Sequence, residues 1–212
     1  GQRLQVFADL AGDWDAAFAQ AERGVADVHR KEVFAHARGD VLEVAVGTGR
    51  CFEPLQASGD VKSFVGVDLV EGMLEELRKK LPDQPFLANA VRGDAHALPF
   101  PDASFDTVMG SLCLCSLERP AKALQEMARV CRPGGQVLLV EPGLASNRVV
   151  RWCQDYLGLV PDLKHAWEFG WYNGRDPLAL VRDCAELQLV RVDLPGLGNW
   201  YLIRAAPSNG VE

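Results

Sequence analysis

The sequence predicts an α/β fold: a doubly wound, mostly parallel sheet of seven strands with helices on both faces. Two observations carry the parallel part. From residue 41 to 141, short apolar runs alternate with amphipathic stretches of helical period, the pattern of strands joined by crossover helices. Several runs are apolar almost throughout, as strands buried on both faces require. A third observation closes the sheet: only GLGN separates the last two strand-like runs, so that pair is expected to be antiparallel.

Leu4 to His36 reads as helical, with Phe7, Leu10, Trp14, Phe18, Ala21, Val25 and Val28 spaced by three or four. Gly39-Asp40 ends it. VLEVAV (41–46) is the first strand, followed by a helix near 50–57. SFVGVD (63–68) is the second, followed by a helix from Glu71 to Leu81 that Pro82 stops. PFLANAVRGD (85–94) is the third strand and SFDTVMGS (104–111) the fourth. Pro120 to Cys131 is an amphipathic helix with Ala121, Leu124, Met127, Ala128 and Cys131 on one face. Pro120 suits its first turn, and Arg132-Pro133-Gly134-Gly135 closes it. QVLLVE (136–141) is the fifth strand. A helix over about 145–157, an aromatic segment at 165–172, a helix opening at Asp176-Pro177 and two strands near 188–194 and 199–206 complete the chain. One domain, 1–212, is expected: an N-terminal helical cover (1–38), a cofactor-binding core (39–143), and a tail of helix, aromatic lid segment and closing strands (144–212).

Composition narrows the function. At 48% apolar and 24% charged, the chain falls outside the disordered and fibrous classes. A net charge of −7 without a basic run argues against nucleic acid as the main partner. Six cysteines are scattered without a C-x-x-C pair and four histidines are dispersed. That predicts reduced, mostly buried thiols in an intracellular protein and no metal site. No run of eighteen apolar residues occurs, so no membrane span is expected. The chain begins with Gly rather than Met, which leaves room for an upstream targeting or anchoring segment and for peripheral attachment. Cytoplasm and mitochondrion both stay open, and oligomeric state is not encoded legibly.

The first strand stops at Gly47-Thr48-Gly49. In open parallel sheets ligands sit beyond the carboxyl ends of the strands, and the first strand-to-helix turn meets them. Glycines there permit close approach, and the following helix offers free N–H groups. A dinucleotide fingerprint would need glycine at Phe52, and no G-x-x-x-x-G-K-[ST] loop exists. Asp68 ends the second strand, placed to accept two ribose hydroxyls. Asp94-Ala95 ends the third, where a carboxylate can take an adenine amino proton and an N–H can meet a ring nitrogen. A ribose and adenine held without a pyrophosphate grip describe S-adenosylmethionine.

VLEVAVGTGR, VGVDLVEGML, GDAHALPFPDASFDTV and EMARVCRPGGQVLLVEP, in this order and spacing, resemble class I S-adenosylmethionine-dependent methyltransferases of the ubiquinone-biosynthesis and small-molecule type. VGTGR, LCLCSLERP and EPGLASN are similar to bacterial phosphatidylethanolamine, microsomal thiol and mitochondrial Oms-type methyltransferases. The resemblance covers about residues 38–145 and implies a Rossmann-like sheet of six parallel strands and one antiparallel. By position it implies that Gly47, Thr48 and Gly49 line the methionine part of the cofactor, with Glu43 near its amino group. Asp68 would hold the ribose, with Leu69 and Met73 beside the adenosine. Asp94 and Ala95 would read the adenine, and Ser111 and Leu112 would pass beneath. Ala45-Val46 departs from the commoner Gly-x, and Ala45 is carried as a backbone contact. WEFGWYNGRDP resembles an Oms-type tail with Gly174 intruding: Trp167, Trp171, Tyr172 and Asn173 are either acceptor-pocket residues or packing residues, with Asp176 a helix cap.

The implied reaction is in-line methyl transfer to a small-molecule or lipid nucleophile, in which alignment does most of the work. His96, Glu141 and His165 are candidates for a base. A methyltransferase-fold binding or assembly protein with little turnover is the alternative. Protein or RNA methylation is disfavoured by the acidic charge and by the missing Asn-Pro-Pro-Tyr-like motif.

Overall fold

The structure is a computed structural model that describes residues 2–17, 25–157, 170–172 and 174–208. Seven strands form one sheet: β1 (Gly39–Val44), β2 (Val61–Asp68), β3 (Leu87–Arg92), β4 (Phe105–Ser111), β5 (Cys131–Pro142), β6 (Leu187–Asp193) and β7 (Trp200–Pro207), in the order β3-β2-β1-β4-β5-β7-β6. The pairs β2–β3, β1–β2, β1–β4 and β4–β5 are parallel. Strand β7 runs antiparallel to both β5 and β6. The order reverses between β1 and β4, and a crevice opens there at the carboxyl ends of the strands.

Period-two alternation divides the core between the two faces. On one face Leu42, Val44, Val108, Val137, Leu139, Tyr201 and Ile203 pack with Ala123, Leu124 and Met127 of α5 (Pro120–Val130) and Val181 of α7 (Pro177–Arg182). On the other, Val41, Met109, Leu138, Val140 and Leu202 pack with α2 (Ala26–Phe34), α3 (Phe52–Ser58) and α4 (Glu71–Lys80) through Val33, Phe34, Phe52, Leu55, Leu74 and Leu77. The helices expected near 145–157 and after Asp176 appear as α6 (Arg148–Tyr156) and α7, and the Asp176 carboxylate caps α7 by accepting the Ala179 N–H at 3.0 Å.

Two expectations need correction. The N-terminal helix is interrupted: α1 (Gln2–Leu10) gives way to a 3₁₀ turn over Ala11–Asp13, and α2 begins only at Ala26. Gly12-Asp13 favours a turn over continued helix, and the break shifts the apolar phase. The buried face of α2 is Ala26, Arg30, Val33 and Phe34, while Val25 and Val28 are exposed. In α5 the inward face is likewise rotated, so Ala121 is exposed and Ala123 fully buried. Residues Phe18 and Ala21 of the expected stripe lie outside the described residues.

The segment LPFPD is fixed by α5. Arg129 donates to the Phe100 and Leu98 carbonyls at 2.9 and 3.1 Å, and Glu126 accepts the Leu98 N–H at 2.9 Å.

Candidate active site

A cavity of about 420 Å³ opens at the tips of β1, β2 and β4. Its wall takes in Glu43, Ala45, Gly47, Thr48, Asp68, Leu69, Met73, Asp94, Ala95, Ser111 and Leu112. Gly49 is the one expected cofactor residue outside it. An added Cβ at Gly49 would meet Leu77 at 2.6 Å and Phe52 at 3.0 Å, so this glycine lets the turn pack on α3 and α4. Gly47, with φ +56°, has nothing within 4 Å of where its Cβ would be.

The strand tips are tied to one another. Asp68 accepts the Gly47 N–H through Oδ2 and the Val70 N–H through Oδ1, both at 2.9 Å. Burial pushes its carboxyl pKa up against those hydrogen bonds. Glu43 is buried, and burial raises its carboxyl to about 7, opposed by a Cys51 hydrogen bond and the Arg30 cation and reinforced by Asp68. Its Oε2 is buried without a hydrogen-bond partner. A buried acceptor on a cavity wall is costly unless a ligand donor completes it. Ala45 and Leu112 both adopt left-handed backbone, at φ +53° and +52°, so the commoner glycine at position 45 has a conformational reason.

The third tip is arranged around His96. Its Nδ1 lies 2.6 Å from Asp94 Oδ1, which also accepts the His96 N–H, and its Nε2 accepts the Arg119 N–H at 3.2 Å. Both ring nitrogens are thus engaged, and His96 itself lines the cavity. Burial works to raise the Asp94 pKa, but the hydrogen bonds from His96 outweigh it and the carboxyl stays below its usual value. Glu141, the other strand-end candidate, lies behind the cavity wall. It is fully buried, does not line the cavity, and spends its carboxylate on the N–H groups of Cys113 and Leu114. His165 lies outside the described residues.

Of the aromatic segment, Trp171 lines the cavity, whereas Tyr172 uses its N–H to hold the Cys115 carbonyl at 2.8 Å. Trp167 and Asn173 lie outside the described residues. The cavity also gains residues that sequence reading did not single out for it. Leu4, Phe7 and Trp14 arrive from the N-terminal cover, Arg30 from α2, Arg50 and Cys51 from the glycine turn, and Pro142 and Trp200 from paired positions of β5 and β7. Arg30 donates to Ser111 Oγ at 2.8 Å and pairs with Asp27 at 2.7 Å. The cover is latched by Asp15, which accepts from Thr48 Oγ1 at 2.7 Å and Lys80 Nζ at 2.5 Å. None of the six cysteines forms a disulfide, and among the described residues no group of three or more His, Cys, Asp or Glu could hold a metal ion.

A sheet of six parallel strands and one antiparallel, with a cavity at its switch point, is the class I methyltransferase fold. Residues 42–139 match the methyltransferase domain family. The chain is 46% identical over 101 residues to the demethylmenaquinone methyltransferase of Renibacterium salmoninarum, covering 48% of this chain and 40% of that protein. It is 27% identical to the mitochondrial methyltransferase OMS1 of Saccharomyces cerevisiae over 97% of this chain and 46% of that one. It therefore spans less than half the length of either relative. A solved S-adenosylmethionine-dependent methyltransferase from Thermotoga maritima superposes with a TM-score of 0.68 at 20% identity, covering 96% of this chain and 99% of that one, a likeness of fold. Family and fold together imply use of S-adenosylmethionine. Among the described residues no helix is long and apolar enough to cross a membrane.

Proposed function

We propose that this chain transfers a methyl group from S-adenosylmethionine to a small-molecule or lipid acceptor, acting as one domain over residues 1–212. The observation that carries the reading is the unpartnered, buried Glu43 Oε2 beside the open Gly47 turn, on the same wall as Asp68. An acceptor atom without a donor and a turn without a Cβ suit a ligand that brings an ammonium group and needs backbone contact.

In this reading Glu43, Ala45, Gly47 and Thr48 receive the methionine portion, and Asp68, Leu69 and Met73 the ribose side. Asp94 and Ala95 meet the adenine, and Ser111 and Leu112 lie beneath. When bound, S-adenosylmethionine supplies a methyl group already activated by its positive sulfur. The remaining task of the protein is alignment and exclusion of water, and positioning can contribute roughly 7–11 kcal/mol. Leu4, Phe7, Trp14, Leu117, Trp171 and Trp200 would supply the dry wall. A thiol, phenol or enol acceptor would lose its proton through its own acidity or to a base, for which His96 on the cavity wall is a candidate. An amine acceptor would have to arrive neutral. The name of the 46% identical relative makes a quinol-type ring a sensible first acceptor to try. Nucleic acid is not an expected partner. Mainly buried cysteines outside any disulfide support an intracellular setting, cytoplasmic or mitochondrial.

Calorimetric titration with S-adenosylhomocysteine, followed by a labelled-methyl screen of thiols, quinol precursors and phospholipid amines, tests the proposal. Saturable heat and transferred label are expected. Saturable heat without transfer to any of them would favour a binding role, and no heat at millimolar ligand would end the cofactor assignment.

A further inference from the structure

The loop after β4, Leu112–Leu117, contributes Leu112, Cys115, Ser116 and Leu117 to the cavity wall, yet it is held from behind the wall. Glu141 Oε1 accepts the Cys113 N–H at 2.9 Å, the Leu114 N–H at 3.1 Å and the Cys113 thiol at 3.1 Å, and Oε2 shares the Leu114 N–H at 3.1 Å. At the next peptide unit Arg175 donates to the Leu114 carbonyl. One residue on, the Cys115 carbonyl accepts the Tyr172 N–H, which fixes the residue next to Trp171. The Arg175 carbonyl in turn accepts the Leu144 N–H at 2.7 Å, joining this strap to the exit of β5. The loop starts from a left-handed residue, Leu112, at φ +52°, a conformation that a leucine keeps only where its surroundings over-determine it.

We propose that Glu141 is a positioning residue for the acceptor half of the cavity: its carboxylate gathers the Cys113 and Leu114 N–H groups, so that the Leu112–Leu117 loop, and through it Trp171, keep one place on the wall. The inference rests on the reading of this cavity as a methyl-transfer site. Burial raises the Glu141 carboxyl to about 7, opposed by the Leu114 and Cys113 donors gathered on its oxygens. Glutamine at 141 would turn its NH₂ toward the Leu114 N–H or the Cys113 groups, two donors face to face, with almost no change in volume. The loop would then be released locally while the sheet stays intact. Arg175 supplies the opposing grip.

The test uses N-ethylmaleimide modification of the native protein, read cysteine by cysteine by mass spectrometry. Cys113 and Cys115 report the loop; Cys131 and Cys184, buried elsewhere, report global opening. Glu141→Gln is expected to raise modification of Cys113 and Cys115 by about tenfold relative to Cys131 and Cys184, as loss of local hydrogen bonding does without global unfolding. Trp171 emission, isolated by subtracting the spectrum of the matching Trp171→Phe protein, is expected to shift to longer wavelength. Arg175→Gln attacks the same loop from its other face, and carries the test if Glu141→Gln does not fold. Unchanged rates, rates that rise equally at all four cysteines, or a freed loop with unshifted Trp171 emission would overturn the proposal. Failure of wild type to bind S-adenosylhomocysteine would instead strike the methyl-transfer reading, and leaves the labelling result separate.

Discussion

Asp68 Oδ2 accepts the Gly47 N–H at 2.9 Å, so the residue expected to hold a ribose also sets the turn expected to hold the methionine portion. Asp68→Ala removes both. It is expected to weaken S-adenosylhomocysteine binding at least tenfold, about 1.4 kcal/mol by calorimetry, and to lower thermal stability modestly as the turn loosens. Unchanged affinity in a folded variant would refute the ribose assignment.

Glu43 predicts a pH dependence. Its folded pKa is raised from 4.5 to about 7, so the empty protein binds the extra proton more tightly than the unfolded chain does. The sign follows: this contribution to stability is complete below about pH 4.5 and is lost as pH rises through 7, on the order of 3 kcal/mol at most. Ligand binding runs the other way, because an ammonium needs the carboxylate. Affinity for S-adenosylhomocysteine is expected to be about tenfold weaker at pH 6 than at pH 8. Glu43→Gln should bind weakly at both; a wild-type affinity flat across this range would remove the role.

The two glycines of the turn separate binding from folding. Gly47→Ala places a methyl in open cavity space at φ +56°, and costs about 1–2 kcal/mol of backbone strain together with most of the ligand affinity. Gly49→Ala drives its methyl onto Leu77 and Phe52 and is expected to act mainly on stability. Melting temperatures and calorimetric affinities of the two variants check the contrast, which equal losses of both would abolish.

Asp15 latches the N-terminal cover to Thr48 and Lys80. Burial works to raise its pKa, but the hydrogen bonds from Lys80 and Thr48 prevail and lower it. The pair is partly exposed, so the latch is modest: Asp15→Ala is expected to weaken S-adenosylhomocysteine binding roughly twofold to fivefold. Limited proteolysis should cut the first seventeen residues faster in that variant. Equal cleavage rates would contradict the latch.

Much of this site was legible because its residues follow strands. An apolar run ending in Gly-Thr-Gly, and two more ending in Asp68 and Asp94, converge in any doubly wound sheet, and eleven of the twelve expected cofactor residues line one cavity. Gly49 went the other way because a glycine signals close approach without saying to what. Trp200 was illegible: its place depends on the antiparallel pairing that sets it opposite Pro142, a register that spacing alone does not give. Arg30 had left a signal, a lone cation in an apolar spacing with Ala26, Val33 and Phe34, hidden by assuming an unbroken helix from Leu4. The strand-end positions of His96 and Glu141 were readable, but their hydrogen bonds were not.

A crystal of the protein grown or soaked with S-adenosylhomocysteine tests the central claim most directly. The account predicts density for one nucleoside amino acid whose ammonium meets Glu43 Oε2, whose hydroxyls meet Asp68 and whose base lies against Asp94 and Ala95. Density elsewhere, or a bound molecule that leaves Glu43 Oε2 without a donor, would contradict it.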